Sequence, residues 1–136
     1  MSIANTVVSG LLRSPLHPLL SSKVDVVRYT GRRSGRTVST PTQYVRRGDE
    51  VIILVGRPQT KTWWRNFRHE HELEVLIRRR WIPMAGRVVV GADEPDVIAP
   101  LLDAYLQRFP RAARALGETD EARARRAVIV WCRPRR

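Results

Sequence analysis

The chain of 136 residues has a single cysteine, Cys132, only two lysines and only 13 acidic residues, and each scarcity excludes something. One cysteine cannot build an internal disulfide framework, and it fits a reducing compartment. No apolar run approaches the roughly 20 residues that a membrane-spanning helix requires. Arg13, Pro15 and Pro18 interrupt the first candidate. The opening MSIANTVVSGLL has no cationic stretch ahead of its apolar residues, so the expectation is a cytoplasmic chain without a targeting leader. The scarcity of lysine leaves the basic excess to arginine: 23 Arg stand beside Lys23 and Lys61, and the net charge is +12. Such a chain is not indifferent to polyanions. Disorder is excluded as well, because 43% of the residues are hydrophobic and four Trp, three Tyr and two Phe can furnish a core. The arginine skew has two readings, base composition of the coding DNA and the fit of planar guanidinium groups to phosphates and carboxylates. Placement decides between them.

The length suits one compact domain, read as residues 23–136, preceded by an apolar segment over residues 1–22. In that segment Ile3, Val7, Leu11 and Leu12 recur at helical spacing, which predicts a helix packed on the body. An interfacial helix on the inner face of a membrane, contacting lipid through residues 1–20, is the alternative.

From Val24 the pattern turns to strands. VDVVRYT predicts a strand ending at Gly31, and residues 37–47 read as one long strand with Val38, Thr40, Thr42 and Tyr44 on one face. Pro41 within it argues for an edge or a bulge. Gly48-Asp49 closes a hairpin onto the apolar run 51–55. Residues 60–68 lose the alternation and predict a short helix capped by Thr60 or Thr62, carrying Trp63, Trp64 and Phe67. Alternation returns over 73–79 and 81–90, then Ile98, Leu101, Leu102, Tyr105 and Phe109 mark an amphipathic helix over 93–109, with Asp93 as its cap. A polar helical stretch over 111–126 and a buried strand over 127–132 complete the chain. Six strands, mostly joined by hairpins, with helices at the ends and one late crossover, describe an α+β domain round an antiparallel sheet that curls toward a small barrel.

The densest cationic region is residues 28–47, with Arg28, Arg32, Arg33, Arg36, Arg46 and Arg47 and no acid. Within it TGRRSGR combines two glycines, a hydroxyl and guanidinium groups, a set suited either to an anion or to a solvated basic hairpin. TKTWWRNF is the second candidate, with Asn66 one helical turn beyond Trp63, though on pattern alone core packing of both Trp rings is the favoured account. His69 and His71 lack a third ligand in the pattern, so no metal is expected. Cys132 sits in an apolar run without a base beside it, which argues against a catalytic thiol.

Thr30-Gly31-Arg32-Arg33-Ser34-Gly35, followed by Thr40-Pro41 and then by Trp63-x-x-Asn66-Phe67, resembles the deazaflavin-dependent nitroreductases, also described as coenzyme F-420-dependent quinone reductases of actinobacteria. The resemblance is strongest over residues 23–92. It implies a split β-barrel related to flavin-binding oxidoreductases, and coenzyme F-420, an 8-hydroxy-5-deazaflavin, as the cofactor, with FMN as runner-up. It implies further that Arg32, Arg33, Ser34 and Gly35 hold the cofactor's phosphate and acidic tail, and that Thr40, Pro41 and Thr42 lie along the ring. Gly56 and Arg57 would sit near the phosphate, Trp63 and Asn66 at the pocket edge, and Tyr105 in the substrate pocket. The partner implied is a small conjugated acceptor, quinone-like or nitro. No catalytic side chain is assigned, because the cofactor itself supplies the hydride. A lipid- or membrane-surface-binding protein on the same barrel is the competing function. Nucleic acid is disfavoured, since no zinc-finger, RNP or helix-turn-helix pattern accompanies the charge.

Overall fold

The computed structural model describes residues 24–135, so the segment 1–22 and its expected helix lie outside the described residues. Seven antiparallel strands form one sheet: β1 (Val24–Thr30), β2 (Thr37–Gln43), β3 (Val45–Arg47), β4 (Glu50–Leu54), β5 (His71–Ile77), β6 (Arg80–Val90) and β7 (Val128–Pro134), in the order β2-β1-β5-β6-β7-β4-β3. One expectation is corrected here. The stretch 37–47 is two strands, not one, broken at Tyr44. Those two pieces occupy opposite edges of the sheet although one residue separates them, so the sheet has to curl until its edges nearly meet. The barrel is thus split at Tyr44.

Period-2 patterning explains the two faces of this curl. Val27 and Tyr29, Leu73, Val75 and Ile77, Val51 and Ile53, and Val128, Val130 and Cys132 all point inward and are buried together. Residues of opposite parity, Ile52, Val89 and Ile129, face outward and meet the apolar stripe of α1 (Pro95–Arg108), formed by Ile98, Leu101, Leu102 and Tyr105. The stripe falls where its spacing predicts. The cap does not: Glu94, not Asp93, is the N-cap residue, and its carboxylate is held by Arg87 at 3.0 Å. Pro100 stays inside the helix without ending it. The polar stretch after α1 resolves into a 3-10 turn and two short helices, α2 (Ala113–Leu116) and α3 (Asp120–Arg126), the latter capped by Thr119 Oγ1 accepting from the Ala122 N–H at 3.1 Å.

These helices fill the interval between β6 and β7, which are neighbours in the sheet. The crossover therefore lies earlier than expected, between β4 and β5, which are three places apart. That connection crosses an end of the barrel and carries 3-10 turns at Pro58–Thr60 and Trp63–Phe67. Phe67 is fully buried, and Gly86 on β6 gives it room, since a Cβ there would come within 3.1 Å of the ring. Pro41 lies on an edge strand, paired only with Val26 of β1, where a missing N–H costs nothing.

Candidate functional site

The loop after β1 is a turn closed by its own hydrogen bonds. The Gly31 N–H donates to the Arg36 carbonyl at 2.8 Å, the Gly35 N–H donates back to the Gly31 carbonyl at 2.9 Å, and the Arg36 N–H donates to Ser34 Oγ at 3.1 Å. The two glycines serve different ends. Gly35 adopts a left-handed φ of +67°, whereas a Cβ on Gly31 would lie 2.7 Å from Ser34 Oγ. Arg32, Arg33, Ser34 and Arg36 are all exposed.

A second segment, 34 residues away in sequence, is joined to this loop. The Arg32 N–H donates to Asn66 Oδ1 at 2.9 Å, while Asn66 Nδ2 donates to the Trp63 carbonyl at 2.9 Å and so fixes the amide's orientation. Trp64 Nε1 donates in turn to the Pro58 carbonyl at 2.9 Å, which ties down the turn that follows Gly56 and Arg57. Arg57 itself is held at φ 50°, ψ 59°, a left-handed conformation that costs a non-glycine residue about 1 kcal/mol or more. The Lys61 amine lies 3.8 Å from where a Cβ on Gly56 would be, adding a cation to this turn.

The two tryptophans divide as adjacent residues on a helical turn must. Trp64 is buried in the barrel core and Trp63 is half-buried, packed edge-on to Phe67 with centroids 6.2 Å apart. Phe67 also meets Tyr29 at 5.2 Å and the His71 ring at 5.8 Å. The Tyr29 hydroxyl is hydrogen-bonded to the Thr40 side chain, and burial pushes that phenol above its ordinary pKa. A continuous set of contacts therefore runs from Thr40 on β2, through Tyr29 and Phe67, to Trp63 and the Asn66-bound loop.

Electrostatics single out part of the cationic stretch. Arg28 is paired with Glu74 at 2.9 Å and stacked 3.8 Å over Trp81, and Arg47 is paired with Glu50 at 2.8 Å. Among the described residues no carboxylate pairs with Arg32, Arg33, Arg36 or Arg57. Of the loop amides, those of Gly31, Arg32, Gly35 and Arg36 are committed internally, which leaves the N–H groups of Arg33 and Ser34 for a ligand. The anion cradle expected of the whole loop is thus narrower than its sequence suggests. Ser34 uses a lone pair inside the turn and retains its O–H for donation.

Tyr105 belongs to a different cluster from Trp64 and Phe67. It is packed in the layer between α1 and the outer face of the sheet, against Phe109 at 5.0 Å, and burial foremost pushes its phenol up to about 12. The His71 ring, through Nε2, donates to the Thr30 carbonyl at 2.8 Å, tying β5 to the end of β1. Among the described residues no group of three or more His, Cys, Asp or Glu is placed to hold a metal. Burial raises the Cys132 thiol far above its usual range, so it remains a protonated core residue. An open groove of about 750 Å³ lies elsewhere, lined by Asp49, Glu50, Glu70 and Glu72 together with Arg133 and Arg135, which pair with Glu70 and Glu72 and so already have carboxylate partners. Asp25, Lys61 and the central role of Phe67 are not foreseen by the sequence motifs; the lone acid within the apolar strand VDVVRYT is the one visible trace of the first.

Comparison with known proteins bears directly on this arrangement. Residues 16–124 match the profile of the F420H2-dependent quinone reductases, a span that includes the closed loop, the Thr40–Thr42 strand and the Trp63–Phe67 turn. The chain belongs to the F420H2-dependent quinone reductase family. No curated protein matches it in sequence. Among solved structures it is similar to an F420H2-dependent reductase, with a TM-score of 0.64 at 16% identity over 81% of this chain and 93% of the other. A structure described as a domain-swapped dimer gives 0.62 at 14% identity, over 96% of this chain and 99% of that one. A protein of unknown function from Agrobacterium tumefaciens gives 0.52 at 13% identity, over 91% and 56%. At these identities the likeness concerns the fold, a split β-barrel. Membership of the quinone reductase family makes the chain an oxidoreductase that uses reduced deazaflavin and a small-molecule acceptor. Neither the fold nor the comparisons support the lipid-binding alternative. No described helix is long and apolar enough to cross a membrane.

Proposed function

We propose that the surface formed by loop 31–36, the turn at Gly56–Lys61 and the Trp63–Phe67 helical turn holds the phosphate and acidic tail of the deazaflavin. Thr40, Pro41 and Thr42 on β2 flank its ring. The observation that carries this is the hydrogen bond from the Arg32 amide to Asn66, which joins two motif segments in a region where Arg32, Arg33, Arg36 and Arg57 have no carboxylate partner among the described residues. The chemistry of the donors fits the group. Guanidinium groups and two uncommitted amides match phosphate and carboxylate oxygens, and exposed unpaired cations lose little hydration energy on meeting them.

When bound, the reduced cofactor supplies a hydride. The protein's own contribution is to bind, orient and exclude water. Arg32 and Arg33 anchor the tail electrostatically, Asn66 holds the loop that carries them, and Trp63 gives the ring an apolar edge. The acceptor is a conjugated, electron-poor molecule, quinone-like or nitro.

Titration of the purified protein with the oxidised cofactor, followed by fluorescence, tests the assignment. Arg32→Ala and Arg33→Ala should each weaken binding about tenfold, the scale of one charge-assisted contact, with the loss shrinking as salt is raised. Unchanged affinity in both variants would remove the loop from the cofactor site.

A further inference from the structure

Among the described residues Asp25 is the one charged residue that is fully buried. It lies on β1, two residues before Val27 on the inward face, and its cross-strand partner is Thr42 of β2. Thr42 Oγ1 donates to Asp25 Oδ1, while Oδ2 has no hydrogen-bond partner. A carboxylate with one side-chain hydrogen bond and no cation in an apolar interior is strained by desolvation, whereas a neutral acid there is tolerated. Burial accordingly pushes the Asp25 pKa up to about 7, with the Thr42 hydrogen bond opposing the rise.

The groups facing it do not relieve the charge. Tyr44 at the strand break, Cys132 on β7 and Tyr105 on α1 are near enough for the Asp25 charge to raise all three. Arg46 of β3, Arg78 of the β5–β6 turn and Arg108 of α1 act on the Tyr44 phenol, and burial, opposed by the Thr42 hydrogen bond and one to Asp25's own backbone, accounts for Asp25. The cheapest way to hydrate an ionised Asp25 is through β2. That strand is an edge, hydrogen-bonded as a ladder only to β1, and the chain breaks from it at Tyr44.

We propose that Asp25 is a positioning residue for the cofactor: while neutral it stays buried and the Thr40–Thr42 wall lies against β1, and when the proton leaves, the buried charge is relieved by β2 lifting to admit water, and cofactor affinity falls. The inference rests on the assignment of β2 to the cofactor site. If only the protonated form binds well, the apparent dissociation constant at about pH 8 rises roughly tenfold over that at about pH 6, in proportion to the lost competent fraction.

The test measures the cofactor dissociation constant from about pH 5.5 to about pH 8.5 in the wild type, Asp25→Asn and Thr42→Val. Ionisations of the cofactor and of the histidines are common to all three proteins, so ratios between them isolate Asp25. The wild-type to Asp25→Asn ratio should rise about thirtyfold across the range, and the wild-type step should move to higher pH in Thr42→Val, where the opposing hydrogen bond is gone. A pH-independent ratio overturns the proposal, as does an unmoved step in Thr42→Val. Hydrogen exchange of the cofactor-free protein, corrected for intrinsic rates, separates the two assignments. Protection of the β2 amides should fall about thirtyfold between the same limits in the wild type and stay level in Asp25→Asn. Falling protection without cofactor binding at any pH refutes only the cofactor site, and level protection in the wild type refutes the role of Asp25.

Discussion

Phe67→Ala is expected to destabilise the protein by about 3 to 5 kcal/mol, the range for removing a large aromatic side chain from a packed interior. The ring is fully buried, fills the space left by Gly86, and makes edge contacts with Tyr29, Trp63 and His71. Nothing nearby can collapse into the gap cheaply, because Tyr29 is tied to Thr40 and His71 to the Thr30 carbonyl. Marginal stability makes such a loss a large fraction of the whole. The urea midpoint should drop sharply, and whatever remains folded should have a mobile 63–67 turn, seen as a change in tryptophan emission. A midpoint close to wild type would show that the crossover segment does not plug the barrel.

The second large effect concerns pH and stability. The folded pKa of Asp25 is raised to about 7, so between its ordinary carboxylate range and neutrality the native state keeps a proton that the unfolded chain has lost. Stability from this group is therefore fully present at low pH and is lost as pH rises through the folded pKa. From about pH 5 to about pH 8 that loss amounts to about 3 kcal/mol. Asp25→Asn keeps the shape and cannot ionise, so its stability curve should diverge upward from the wild type over this window while other titrating groups cancel in the difference. Parallel curves from chemical denaturation at several pH values would contradict the burial of an unpaired carboxyl.

Much of the fold is legible from alternation. The inward set of β5 and the outward stripe of α1 follow directly from apolar spacing, and Gly48-Asp49 announces its hairpin. What escapes local patterning is closure. Nothing within residues 37–47 says that Tyr44 divides the stretch between two sheet edges, because the break is imposed by the curl of the whole sheet and not by a glycine or proline. The crossover between β4 and β5 escapes for the same reason, since residues 55–70 acquire their place from the barrel end they cover.

The site shows a similar division. The Gly31 and Gly35 positions are readable because left-handed backbone and close approach demand glycine, and the resemblance to deazaflavin reductases brings Asn66 into view. Which arginines are available is not readable. Arg28 and Arg33 look alike in a cationic run, yet β1–β5 pairing sets Glu74 opposite Arg28 and leaves Arg33 exposed. Of the +12 net charge, the part we propose for the cofactor is the arginines around loop 31–36 and Arg57 that have no carboxylate partner among the described residues.

The most direct measurement compares two ligands: the complete deazaflavin cofactor and its ring fragment without phosphate and acidic tail, titrated against the wild-type protein at low salt. If the unpaired arginines hold the tail, the complete cofactor binds roughly 100-fold more tightly than the fragment, the scale of two charge-assisted contacts. That advantage should largely vanish in an Arg32→Ala/Arg33→Ala double variant. Equal binding of the two ligands, or an advantage that survives in the double variant, would contradict the account.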